Sequence, residues 1–343
     1  MYSGFQRMSK EIAMRCHPFS RAIAWLGSGL LFCALSASGA EAWKPDRPVE
    51  LIVGATAGGG QDVTARVMQK IMQDRGLVPT PVVVVNKPGG GGTIALSYLK
   101  QHSGDARFLA TATPTLLTNN ILDPGADTHT DFTALGMLYN EYVGFAVNAA
   151  GPVKTGRDLI ERERKSPGVT TIAFGTSLGN ANHIAVALAM KAGGADIRKL
   201  AIVIYKSSAE ATLALMGGHV DLVVTPLSTF LPGMQGGRLR IIAVAAPNRM
   251  PGIFAGVPTW REQGIDTVTS SFRSVIGPKG MKPEQVAYWD GVIQQLAQTD
   301  AWKKELERNE WEGSFMKSAE TRRFLDAQHL EYRAILSELG LVK

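Results

Sequence analysis

A chain of 343 residues is long enough for two domains with a sizeable core. Its 45% apolar and 19% charged content is that of an ordinary globular protein, not of a disordered or fibrous one. The net charge of +6 is scattered, with no Lys/Arg block and no basic stripe interleaved with aromatics, which argues against nucleic-acid binding.

At the N-terminus, Arg7, Lys10, Arg15 and Arg21 precede an apolar run over 22–35 and the small residues "SASGAEA". That order describes a secretory signal peptide over 1–42, cleaved after Ala40 or Ala42, and predicts export to the periplasm. The apolar run is short for a bilayer span, which argues against an uncleaved anchor. Phe32 before Cys33, where a small residue is wanted, argues against a lipoprotein. Cys16 and Cys33 are the only cysteines, so the exported chain is expected to have no disulfide, thiolate metal site or cysteine nucleophile. Losing four basic and two acidic groups with the leader lowers the net charge from +6 to +4. Export also removes the protein from ATP and NAD, and no cofactor is expected.

From Val49 the pattern alternates. "VELIVGA" predicts a strand and 62–75 a helix, with Val63, Val67, Ile71 and Met72 near helical spacing. "PVVVVN" predicts a second strand, a β-branched run of the kind buried in a parallel sheet. A helix over 93–101 and the strand "RFLATAT" follow. A second series starts after Tyr142: strand "GFAVNA", helix 156–165, strand 169–176, helix 181–192, strand 200–206, helix 209–216 and strands 220–226 and 239–246. Beyond residue 260 come "SVIGP" and two or three amphipathic helices, the last over 318–339. Strands alternating with helices imply βαβ units, and two such series predict two similar α/β lobes, each a mostly parallel sheet flanked by helices.

Four turns share one design: 57–62, 89–93, 175–181 and 206–209. Each joins the carboxyl end of a predicted strand to a helix through Gly, Ser or Thr. Glycine lets backbone N–H groups converge, and the helix start adds unsatisfied donors and a positive dipole end. Nucleotide fingerprints fail here. Gly60 is followed by Gln61 and Asp62 rather than by the lysine of a phosphate loop, and neither Gly54 nor Gly89 opens a G-x-G-x-x-G run. Taken singly, each turn needs its glycines only for a tight bend. Four at strand carboxyl ends predict a shared crevice. Donors that are neutral suit a carboxylate and leave no buried countercharge behind when it departs. Asp62 reads as the N-cap of the first helix, the alternative being a ligand contact.

A hydrolase reading competes. "GTSLG" (175–179) matches G-x-S-x-G between a strand and a helix, with Ser177 as nucleophile and Asp221 or Asp326 and His329 following in order. Against it, His329 falls inside the last predicted helix instead of a loop. The histidines 102, 129, 183 and 219 show no metal spacing. His183, near helical contact range of Asn180, can cap, pack or reach the crevice.

The segments "RPVELIVGATAGGGQDVTARVM", "VVVVNKPGGGGTIA", "AFGTSLGNANHIAVALAM", "VIYKSSAEATLALMGGHVDLVV" and "GVPTWREQGID" occur in an order that resembles the exported receptors of the tripartite tricarboxylate transporter family, also called Bug solute-binding proteins. The resemblance spans nearly the whole chain after the leader. It implies a two-lobed, type II-like periplasmic binding protein, with 43–145 plus 259–343 as lobe one and 146–258 as lobe two. It also implies a monomeric receptor that captures a small di- or tricarboxylate or related acid for a permease of one large and one small membrane subunit; a sensing role with a different partner is the other use of such a domain. Carried onto this chain, the ligand would meet Ala57, Gly58, Gly59 and Asp62 in the first turn and Gly91, Gly92 and Thr93 in the second. Thr113, Thr176, Ser177, Asn180 and His183 would contribute from other turns, with Tyr205 and Lys206 opposite. Gly54 and Ala55 stand where Pro-Phe is usual, Asn180–Asn182 vary a Gly/Ser turn, Ser207 replaces a glycine, and Ser271-Phe272 replaces a Trp-aromatic pair.

Overall fold

The structure, a computed structural model, describes residues 43–338 and 340–342. The predicted leader, its cleavage site and both cysteines lie outside the described residues, as does Leu339 at the end of the last predicted helix.

The chain opens as β1 (Val49–Val53), α1 (Gly60–Asp74), β2 (Val82–Asn86), α2 (Thr93–Lys100), β3 (Phe108–Ala112) and α3 (Thr115–Leu122). A 17-residue strand, β4 (Phe132–Asn148), leads to α4 (Gly156–Lys165), β5 (Thr171–Gly175), α5 (Ala181–Ala192), β6 (Ala201–Tyr205), α6 (Ser208–Met216), β7 (Leu222–Pro226), α7 (Leu231–Gln235) and β8 (Leu239–Val244). The chain returns through β9 (Ser270–Pro278) and closes with α8 (Pro283–Gln298), α9 (Asp300–Asn309), β10 (Glu312–Lys317) and α10 (Ser318–Glu338).

Among the described residues the sheet runs β2-β1-β3-β9-β4-β7-β5-β6, with β10 and β8 also on β4. The expected parallel ladders are β1 with β2 and β3, and β5 with β6 and β7. The pairs made by β4 and β9 are antiparallel, so the sheet as a whole is mixed. Strands β1, β3, β5 and β7 are largely buried on both faces, whereas β2, expected to be buried, is an edge strand that leaves Val83 exposed, and β6 at the other edge leaves Val203 and Ile204 exposed. Leu51 and Val53 pack with Met68, Trp289 and Ile293, while Ile52 between them packs with Leu99, Leu117 and Leu336. The second half repeats this: Ile172 and Phe174 face α4 and α5, and Ala173 faces α6.

Four elements depart from expectation: α7 and β10, for which no element was predicted, and β4 and α3. A strand was expected only from Gly144, yet β4 begins at Phe132; its first part pairs with β9 and its last residues with β7 and β8. Gly136, Asn140 and Glu141 interrupt its apolar pattern, and register shifts near 134–139 blur its alternation. Helix α3 was not expected: it has eight residues and follows a proline, which reads locally as a turn.

Candidate functional site

The turns that end β1, β3, β5 and β6 meet in one cavity of about 50 Å³ at the carboxyl ends of these strands. Gly59, Gly60 and Gln61 at the start of α1 and Thr113, Pro114 and Thr115 at the start of α3 form one wall. Asn180, Ala181 and Asn182 at the start of α5 and Ser207 and Ser208 at the start of α6 form the other, with Gly175, Thr176 and Pro226 between them. Ser271 and Arg273, on the crossing strand β9, complete it. Four helices therefore begin at one place, two from each half of the sheet.

The first amides of a helix have no intrahelical acceptor. Here the third amide of α5 and of α6 is satisfied by the capping side chain: Asn180 Oδ1 accepts from His183 N–H at 2.9 Å, and Ser207 Oγ accepts from Glu210 N–H at 3.2 Å. Ala181, Asn182 and Ser208, and Gly60, Gln61 and Thr115 opposite, line the cavity, and their amides have no intrahelical acceptor. Ser207 is thus the residue that caps α6. Each helix start adds a partial positive charge of about half a unit. Such a cage favours an anion and carries no proton-transfer group on its amides.

Of the residues singled out from sequence, Gly59, Thr113, Thr176 and Asn180 lie on the cavity wall. Asn180 is fully engaged: its Nδ2 donates to Gly175 O at 2.6 Å and Thr176 Oγ1 at 2.9 Å. Thr176 holds φ at 80°, a value non-glycine residues rarely adopt, and its N–H donates to Tyr205 O at 2.9 Å. Its hydroxyl accepts from Asn180 and keeps its own proton to donate. The strain sits on the cavity wall, where such strain commonly serves a site.

Other residues stand elsewhere. Ala57 and Gly58 are exposed on the outside of their turn. Asp62 is neither N-cap nor wall residue. Helix α1 starts at Gly60, with Gly59 as its N-cap, so Asp62 occupies the third helical position. From there its carboxylate accepts from Gly58 N–H, Arg66 Nε and Asn86 Nδ2 at 2.8–2.9 Å. Burial opposes its ionisation, but those three hydrogen bonds prevail and hold its pKa below the ordinary carboxylate value. Gly92 lines a smaller adjoining cavity of about 20 Å³ that shares Gln61, Thr113 and Thr115. Gly91 and Ser177 instead pack together: a Cβ on Gly91 would lie 2.6 Å from Ser177 Oγ. Thr93 donates to Gly90 O. The first and second turns touch at Gly54, whose Cβ would sit 3.0 Å from Gly92 Cα. Tyr205 contributes its carbonyl to the turn, and the Lys206 side chain is exposed beyond the wall.

His183 is buried behind the α5 turn. Its Nδ1 accepts from Gly179 N–H at 2.9 Å and its ring stacks on Phe174. Burial lowers its pKa from 6.5 to about 4. Neutral His183 is favoured by folding, so its stabilisation is intact above its unfolded value and lost as pH falls from 6.5 towards about 4. Chemical denaturation should show a loss of about 2 kcal/mol between about pH 7 and about pH 5. His183→Asn, which keeps an acceptor for Gly179, should flatten that slope; an unchanged slope would contradict the assignment.

The hydrolase constellation does not assemble. Ser177 Oγ is buried without a hydrogen-bond partner. Asp221 accepts from Thr171 N–H, Asp326 binds His129 and Arg322, and His329 lies in α10 beside His129. No group of three or more His, Cys, Asp or Glu suited to a metal occurs among the described residues.

Sequence reasoning passed over Arg273. It is 4% exposed and pairs with Glu141, which is 2% exposed. Arg273 Nη1 also donates to Ser271 Oγ at 2.7 Å and Phe272 O at 3.1 Å, and Ser228 Oγ donates to Glu141 at 3.3 Å. Burial raises the Glu141 pKa, opposed by the Arg273 charge and the Ser228 bond. The available signal was period two: in "SSFRS", Ser271 and Arg273 face the cavity while Phe272 packs against Phe324.

Residues 64–341 match the family described as the tripartite tricarboxylate transporter family receptor. The UPF0065 protein in the gbd 5′ region of Cupriavidus necator is 28% identical over 331 residues, covering 96% of this chain and 99% of that protein. Protein BugT of Bordetella pertussis is 27% identical over 287 residues, covering 82% and 86%. Among solved structures, R. palustris Rpa4515 with adipate superposes with a TM-score of 0.80 at 25% identity, covering 87% of this chain and 99% of that one. No helix among the described residues is long and apolar enough to cross a membrane.

Proposed function

The chain belongs to the tripartite tricarboxylate transporter receptor family, a family of periplasmic solute-binding proteins, and from that premise we propose that it captures a small carboxylate among its four helix starts and delivers it to a two-subunit membrane permease. The observation that carries this reading is the convergence of α1, α3, α5 and α6 with first-turn amides unspent. The related Rpa4515 structure with adipate, a dicarboxylate, supports the same ligand class. Lobe one (43–145 plus 259–343) and lobe two (146–258) close on the acid, and release follows from opening. Ligand is bound more tightly by the closed arrangement, which alone contributes all four helix starts, and that difference drives closure. No covalent step is involved.

A thermal-shift screen of the exported chain against citrate, short dicarboxylates, acidic amino acids and aromatic acids tests this. A cognate acid at a hundredfold excess over Kd adds about 2.7 kcal/mol, a shift of several degrees. Silence toward every acid, with a response to neutral compounds, would overturn the reading.

A further inference from the structure

Arg273 is the one formally charged residue among the described residues on the cavity wall. A guanidinium has five N–H donors. Three are spent, on Ser271 Oγ, Phe272 O and Glu141 Oε1. Nε is buried and has no partner, and one Nη2 proton is also unspent. A buried donor left unmade costs roughly 1–3 kcal/mol, and such groups are rare in folded proteins unless something else fills them. The guanidinium also lies against the start of α1: a Cβ on Gly60 would stand 3.0 Å from Nη2. The Nη2 end of the guanidinium and the start of α1 thus lie together at one end of the cavity, across from the starts of α5 and α6.

Glu141 explains how this charge persists when the ligand leaves. It is the resident countercharge, and it does not itself line the cavity. A ligand group arriving at Arg273 therefore shares the guanidinium with Glu141 and leaves no isolated cation on departure. Glu141 also accepts from Ser228, in the turn that follows β7. The contact thereby ties one end of the ligand to the point where β4 passes from β9 to β7.

Resting on the carboxylate reading above, we infer that Arg273 is the specificity-determining residue of this receptor, selecting acids that carry a second anionic group at the α1 end of the cavity. The amides of α5 and α6 hold the first carboxylate. Arg273 reads whether a second is present.

The test compares succinate with butyrate, which have equal carbon counts and differ in the second carboxylate. Calorimetry is run on the wild-type chain and on Arg273→Met combined with Glu141→Gln. The double change removes both charges together, so no unpaired charge is buried and folding survives. A melting curve checks this, and Arg273→Lys serves as a second variant that keeps the charge and loses the planar fork. The wild-type chain is expected to prefer succinate by about tenfold to a hundredfold. The double variant should bind the two acids alike, and the lysine variant should fall between. A preference for succinate that survives in the double variant would overturn this inference and leave the carboxylate reading standing. Failure of the wild-type chain to bind either acid, or any other acid, would overturn both.

Discussion

Gly175→Ala is expected to lower the melting temperature by several degrees and to weaken acid binding by about tenfold or more. An ideal Cβ at this position would lie 2.4 Å from Ser208 N and 2.5 Å from Ser207 C. Both are backbone atoms at the start of α6, so no side-chain rotation relieves the clash. Gly175 is also the last residue of β5 and stands in register with Tyr205, whose carbonyl holds the Thr176 amide. Either β5 retreats from β6 or the α6 start moves off the cavity. Overpacking of this kind costs about 1–3 kcal/mol. Displacing the Ser208 amide removes a hydrogen bond to a charged ligand, which is worth about 1.5–3 kcal/mol. Paired melting and calorimetry check both effects. Wild-type values for each would show that the close approach of β5 to α6 plays no part in the site.

Removing Glu141 should have the largest effect on folding. Glu141→Ala leaves Arg273 buried without a countercharge, at a cost of about 3–5 kcal/mol. Ser228 loses its acceptor as well. Urea denaturation should show this as a lower midpoint with an unchanged slope. The double variant Glu141→Gln with Arg273→Met should recover most of the loss, because the two charges leave together. A single Glu141→Ala change costing less than about 1 kcal/mol would mean that water reaches the guanidinium, and the pair is not buried in the way described.

What the sequence disclosed was local. The turns at 175–181 and 206–209 were legible because their chemistry lies within a few residues: Asn180 reaches His183 N–H, and Ser207 reaches Glu210 N–H. The strand between them, β6, announced itself as an apolar run, although it lies half-exposed at the edge of the sheet. The turn at 89–93 has the same local design but a different use. Its glycines let it pack against Ser177 and Gly54, so only Gly92 borders a cavity, the smaller adjoining one. The design of a turn does not say which way it faces. Asp62 carried a helix-start signal, but its exact position depended on Gly60 and Gln61 entering the helix first. Least legible was the pairing of Glu141 with Arg273, which are 132 residues apart in the chain. Each looks like an interruption of an apolar strand until β4 and β9 lie side by side. Helix α3, which brings Thr115 to the wall, was hidden behind Pro114 and its own shortness.

Main-chain amides are the centre of this account, and one of them can be deleted alone. Ala181 is the first residue of α5 and lines the cavity. Proline is tolerated at a first helical position, where it removes the N–H and keeps the helix. Asn180, at φ −70° and ψ 173°, already has the extended backbone that a following proline requires. Calorimetric titration of Ala181→Pro with the tightest-binding acid should show affinity at least about tenfold weaker than wild type, with the melting temperature of the unliganded chain unchanged. Wild-type affinity in a folded Ala181→Pro chain would contradict the claim that these amides hold the ligand.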